Sequence, residues 1–170
     1  PLVWQSLNAH RFLQRISGYA LSGLTIEESI FFVHGPGGTG KSTYFEVFKA
    51  VMGDAYCKTA SFSTFLKNKT GGGNAPRSDI ARLPGARLVT AVETEEGKQF
   101  AADLLKVSTG GDKITTRDLY QSEFEFVPQY KIWLAANTKP RVRDDDSGMW
   151  RRLLLIPFYH VVHNPNKKLK

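Results

Sequence analysis

An α/β fold, with a mostly parallel sheet flanked by helices, follows from how this 170-residue sequence arranges its apolar segments. Ile30-Phe31-Phe32-Val33, Arg87 to Val92, Lys131 to Ala136 and Leu153 to Ile156 are short, largely apolar runs, the pattern of strands buried on both faces. Segments of helical period separate them, and that alternation places helices on both sides of a parallel sheet. Ligands in such sheets bind at the carboxyl ends of the strands, so the residues that follow each run carry the functional signal.

From Trp4 to Leu21, the residues Leu7, Phe12, Leu13, Ile16, Tyr19 and Ala20 recur at helical spacing, and Ser22-Gly23 ends the segment. Tyr44, Phe45, Val47, Phe48 and Val51 mark a second helix that stops near Met52-Gly53. Ser61 to Lys67 reads as a short helix capped by Ser61. Thr70-Gly71-Gly72-Gly73-Asn74-Ala75-Pro76 cannot pack a core and reads either as a mobile loop beside a partner or as a plain surface linker. Lys98 to Val107 is helical, with Phe100, Leu104 and Val107 on one side. Ile114 to Phe126 forms a hairpin with Phe124 and Phe126 on one face of its second arm. Pro157 stops the last strand, and Asn164 to Lys170 is a polar, basic, fraying end. The chain divides into a helical lead-in (1–24), an α/β core (25–160) and a basic tail (161–170), and it contains no internal repeat.

The chemistry begins directly after the first strand. Gly35-Pro36-Gly37-Gly38-Thr39-Gly40-Lys41-Ser42-Thr43 is a complete phosphate-binding P-loop between an apolar strand and an amphipathic helix, the context this motif requires. Its glycines let backbone N–H groups approach phosphate oxygens, where a β-carbon would obstruct. Lys41 places a point charge on the β- and γ-phosphates, the Ser42 hydroxyl suits Mg²⁺, and the following helix aims its positive end at the same anion. A nucleoside triphosphate, ATP with Mg²⁺, is the expected ligand.

The other strands end in complementary groups. Glu93-Thr94-Glu95-Glu96 follows the run ending at Val92; Glu93 is assigned mainly to the metal and Glu95 to the base, with their exchange open and Glu96 as a third choice. Asn137 follows the next strand and suits a lytic water or the γ-phosphate, although Asn137-Thr138-Lys139-Pro140 is also a respectable turn. Trp150-Arg151-Arg152 precedes the last strand, where an arginine can serve a neighbouring subunit's γ-phosphate or simply pair with Asp144-Asp145-Asp146. Lys41, Glu93, Glu95 and Asn137 all follow strands and should converge on one edge of the sheet.

Composition limits the remaining classes. No apolar stretch approaches the roughly 18 residues of a membrane span. Pro1-Leu2-Val3-Trp4 lacks a signal-peptide pattern, and a start at proline is expected of a piece of a longer polypeptide. Cys57, the one cysteine, precludes an intrachain disulfide and reads as a small buried residue in a reducing, cytoplasmic setting. A net charge of +7 favours a polyanionic partner.

Taken together, these motifs resemble the superfamily 3 AAA+ helicase domain of phage and plasmid primase–helicases, with poxvirus primase–helicases as relatives. Residues Phe12 to Gly23 look like the family's lead-in helix, Glu93 to Gly97 like its acidic motif, and Ala136-Asn137-Thr138 like sensor 1. Leu104 to Asp112, followed by Ile114, Arg117 and Tyr120, resembles the segment leading into a DNA-contacting β-hairpin, and Trp150 to Leu153 with Ile156-Pro157-Phe158 resembles the arginine motif. The resemblance implies an AAA+ core in a homo-oligomeric, hexameric ring that binds ATP between subunits. It implies that Lys106, Arg117, Leu119, Tyr120 and Gln121 face a channel gripping single-stranded or forked DNA during phage or plasmid replication, in the cytoplasm of a bacterial host or the cytosol for a viral protein. Arg151 is the preferred finger and Arg152 the alternate. Family members carry a primase module before this domain and helical segments after it, and neither pattern occurs in this sequence.

Two other classes share the P-loop. A small-molecule or nucleoside kinase needs an acceptor pocket and a lid, for which the 71–76 loop is the one candidate, and no second acceptor motif accompanies it. A nucleotide-dependent assembly module without turnover has no need of a base such as Glu93 or Glu95.

Overall fold

The computed structural model describes residues 7–67, 76–93, 99–139, 142 and 145–163, without the side chains of 7–9. Strands β1 (Ile30–His34), β2 (Cys57–Thr59), β3 (Leu88–Val92), β6 (Lys131–Ala136) and β7 (Leu153–Pro157) form one sheet in the order β2-β3-β6-β1-β7. Every pairing within it is parallel. Strands β4 (Ile114–Thr116) and β5 (Phe124–Phe126) pair antiparallel as a separate hairpin. The expected α/β architecture is therefore present, and its main sheet is wholly parallel.

Alternate residues of the central strands feed two cores. Phe31, Val33, Trp133, Ala135 and Leu88 face one side, against Ile16 and Ala20 of α1 (Leu7–Leu21) and Phe45, Phe48 and Met52 of α2 (Lys41–Tyr56). Trp133 anchors this layer, its ring centroid 4.9 Å from Phe31 and 5.6 Å from Tyr44. Ile30, Phe32, Ile132, Leu134, Val89 and Ala91 face the other side. There they meet Phe62 and Phe65 of a 3₁₀ turn, Ile80 of α3 (Ser78–Ala81), Leu105 of α4 (Ala102–Thr109) and Met149 of α5 (Ser147–Trp150). Burial on both faces explains why these strands read as continuous apolar runs.

Several boundaries differ from expectation. Helix α2 continues to Tyr56 across a break at Gly53, whose φ of 72° leaves the helical region where the sequence signalled a stop. Ser61 gives no side-chain cap; its hydroxyl instead lies 2.7 Å from that of Ser63, and the segment is 3₁₀. Helix α4 begins at Ala102 rather than Lys98, because Phe100 is drawn into a bridge with Leu66. Cys57 is buried, as expected, and the desolvation raises its thiol pKa. The glycine-rich segment 70–75, Glu95, Glu96, Arg143, Asp144 and the tail 164–170 lie outside the described residues. No helix among the described residues is long and apolar enough to cross a membrane.

Candidate nucleotide-binding site

Three neighbouring strands end at one edge of the sheet with the expected chemical groups. The pairing His34 with Ala136 brings the P-loop and Asn137 level, and Glu93 N–H donates to Ala135 O at 2.7 Å. Glu93 on β3, Asn137 on β6 and the P-loop on β1 thus follow one another along the edge. Glu95, the candidate base, lies outside the described residues.

The loop's form follows from its glycines. Gly35 is buried with φ 148°, and a β-carbon there would sit 1.8 Å from Phe158 O, so only glycine lets the chain turn out of β1 beneath that carbonyl. Gly40, at φ 87°, precedes α2 in the left-handed region, and a β-carbon there would meet nothing within 4 Å. Thr39 Oγ1 donates to Pro36 O at 2.9 Å and braces the turn. Lys41 Nζ curls back over the loop, donating to Gly35 O at 2.6 Å and Pro36 O at 2.8 Å. Burial lowers its pKa from the ordinary lysine value.

This arrangement fits a triphosphate with Mg²⁺. The loop leaves open space above Gly37 and Gly40, and the α2 N-terminus points into the same region. Ser42 is exposed on the first turn of α2, and Glu93 is half-buried just past the end of β3. Among the described residues no cluster of three His, Cys, Asp or Glu side chains forms a metal site by itself. One carboxylate, a hydroxyl and substrate phosphates are the usual donors to Mg²⁺ in such sites.

The two arginines separate. Arg152 is buried, with Nη2 2.6 Å from Glu28 Oε2 and Nη1 donating to Gly148 O at 2.9 Å. Arg151 is largely in solvent and reaches the same Glu28 oxygen only at 3.5 Å. Neither the role of Glu28 nor that of His34 was apparent in the sequence. His34 is buried under Tyr159, whose hydroxyl lies 3.3 Å from His34 Nδ1, and burial, reinforced by the Lys139 and Lys41 charges, lowers its pKa.

The proposed DNA-facing residues divide as well. Leu119 and Tyr120 stand at the hairpin tip, where Tyr120 is 95% exposed and holds φ 60°. Among the described residues Tyr120 is not packed into the hairpin. Gln121 is exposed beside it, and Arg117 is half-buried at the base. The hairpin is braced from below: Arg77 N–H donates to Arg117 O, Thr116 Oγ1 to Arg77 O and Ser78 Oγ to Asp118 Oδ1. Lys106 is held in an ion pair within the domain. Its Nζ is 2.7 Å from Asp146 Oδ1, while Asp146 also accepts from Met149 N–H and so caps α5.

Comparison with known proteins identifies a family and a shared fold. A family model described as a family of unknown function, DUF5906, matches residues 33–152. The chain is 36% identical over 138 residues to a helicase-named protein of Acanthamoeba polyphaga mimivirus, covering 81% of this chain and 14% of that protein. It is 25% identical to a primase of Fowlpox virus, covering 99% of this chain and 21% of that protein. The chain therefore spans only a small part of these curated relatives. Its fold matches the apo C-terminal region of NrS-1 with a TM-score of 0.62 at 14% identity, covering 96% of this chain and 40% of that one.

Proposed function

The chain belongs to the DUF5906 family, and on that premise we propose that it is the ATP-hydrolysing motor domain of a superfamily 3 DNA helicase acting in replication. One arrangement carries the reading: the P-loop with Lys41, Asn137 and Glu93 terminate three adjacent strands of a parallel sheet at one edge. The helicase and primase names of the mimivirus and fowlpox relatives support the same class of work.

Residues Gly35 to Thr43 cradle the phosphates of ATP, with Lys41 turning from the loop carbonyls to the β- and γ-phosphates. Ser42 and Glu93 would hold Mg²⁺, which would supply charge neutralisation at the phosphates. Glu95 takes the proton of the attacking water, which Asn137 orients. Arg151, exposed and only weakly paired, acts on the site of a neighbouring copy, while Arg152 holds the chain before β7 through Glu28. The copies assemble as a ring, hexameric in the complete polypeptide.

Single-stranded DNA is gripped at the hairpin tip. Tyr120 offers a ring to a base, Leu119 and Gln121 flank it, and Arg117 supplies charge near the phosphates. Lys106 acts indirectly, joining α4 to α5 and hence the hairpin side of the domain to the segment bearing Arg151.

ATP hydrolysis measured with and without single-stranded DNA tests this reading, with Lys41→Ala as control. Hydrolysis that DNA stimulates and Lys41→Ala abolishes is expected. A DNA-indifferent rate that survives in Lys41→Ala contradicts it.

A further inference from the structure

After β7 the chain does not leave the P-loop. Phe158 N–H donates to His34 O at 2.7 Å, extending the β1–β7 ladder by one step, and Val162 N–H donates to Gly38 O at 3.0 Å. Between these two bonds the segment lies along the loop. Tyr159 Cδ1 is 3.3 Å and Val161 Cγ1 3.7 Å from the positions that β-carbons on Gly35 and Gly38 would occupy. Both side chains keep a large exposed apolar surface, 48% for Tyr159 and 37% for Val161.

The strand order says what that surface meets. Glu93 and Asn137, the partners of a terminal phosphate, lie on the β3–β6 side of β1, whereas the 158–162 segment leaves from β7 on the opposite side. A triphosphate seated on the loop with its γ end toward Glu93 and Asn137 must carry its nucleoside the other way. We propose that residues 158–162 form the base-side wall of the nucleotide site, with Tyr159 and Val161 packing against the planar face of the nucleobase. This rests on the P-loop reading above and extends it to the part of the ligand that phosphate chemistry does not recognise. An aromatic ring and an aliphatic side chain reward a flat, desolvated base and offer nothing to a bare polyphosphate.

The test compares ATP with inorganic tripolyphosphate, by calorimetric titration of the wild-type chain, Val161→Asn, Tyr159→Ala and Lys41→Ala. Val161→Asn adds no charge at a partly exposed position, and Tyr159→Ala supplies an independent variant. ATP binding should weaken by about tenfold in each, in keeping with the loss of one base-stacking contact, while tripolyphosphate binding stays within about twofold of wild type. Lys41→Ala should weaken both ligands together. ATP affinity unchanged in both wall variants, or equal loss of ATP and tripolyphosphate, overturns the base-side wall and leaves the P-loop reading standing. ATP and tripolyphosphate binding undiminished in Lys41→Ala overturns the P-loop reading and this inference with it.

Discussion

Arg152 and Glu28, 124 positions apart in the chain, are locked together at 2.6 Å, and this contact separates two adjacent arginines that are chemically identical. Only 9% of the Arg152 side chain is exposed, against 67% of Arg151. A buried arginine that already serves a carboxylate and the Gly148 carbonyl is costly to redeploy. Its neighbour gives up one long, solvent-screened contact at little cost.

The two positions should therefore fail differently. Arg151→Ala should slow hydrolysis on the order of 10³-fold while moving stability by no more than about 0.5 kcal/mol. Arg152→Ala should destabilise the fold by about 1.5–3 kcal/mol, the worth of a hydrogen bond to a charged group. Hydrolysis rates and urea unfolding of both variants check this, and a reversed pattern contradicts the assignment.

Among the described residues Tyr120 is almost wholly exposed, so its removal should be felt by a ligand rather than by the fold. Tyr120→Ala should weaken single-stranded DNA binding by about 1–3 kcal/mol without preference for sequence. Its melting temperature should not fall. Fluorescence anisotropy with a labelled oligonucleotide and a thermal melt together decide it; unchanged affinity removes the hairpin tip from the DNA-binding surface.

At the opposite edge of the sheet, Lys131 is buried at the start of β6, donating to Ser22 O and lying 4.6 Å from the Tyr19 ring centroid. Burial, with the Arg87 charge adding to it, pulls its pKa from 10.5 down to about 8. Between those values the folded chain binds fewer protons than the unfolded chain, so this group's contribution to stability rises with pH and is lowest below about pH 8. Urea midpoints at pH 7.5 and 9.5 should rise more for wild type than for Lys131→Met, which lacks the titrating group. Parallel shifts in the two proteins would contradict the lowered pKa.

Much of this was legible from local pattern. The P-loop, the four long strands and the ends bearing Glu93 and Asn137 are written in contiguous residues, because two-sided burial and phosphate chemistry both constrain short stretches. Strand β2 escaped notice because Cys57-Lys58-Thr59 is a three-residue edge strand with no apolar run. Helix α5, only four residues long, is defined by the Asp146 cap and the burial of Met149 rather than by any periodicity. The pairings of Arg151, Arg152, Lys106 and His34 were hidden for a common reason. Glu28, Asp146 and Tyr159 reach them from 40 or more residues away, and only the folded chain brings such partners together.

On the proposed function a nucleotide is hydrolysed between two copies, Lys41 coming from one and Arg151 from the next. Mixing Lys41→Ala chains with Arg151→Ala chains, each inactive alone, tests it most directly. At interfaces where an Arg151→Ala copy supplies the P-loop and a Lys41→Ala copy the arginine, the site is whole, and DNA-stimulated hydrolysis should reappear and grow with total protein concentration. A mixture as inactive as its components, at concentrations where wild type is active, would contradict a shared site.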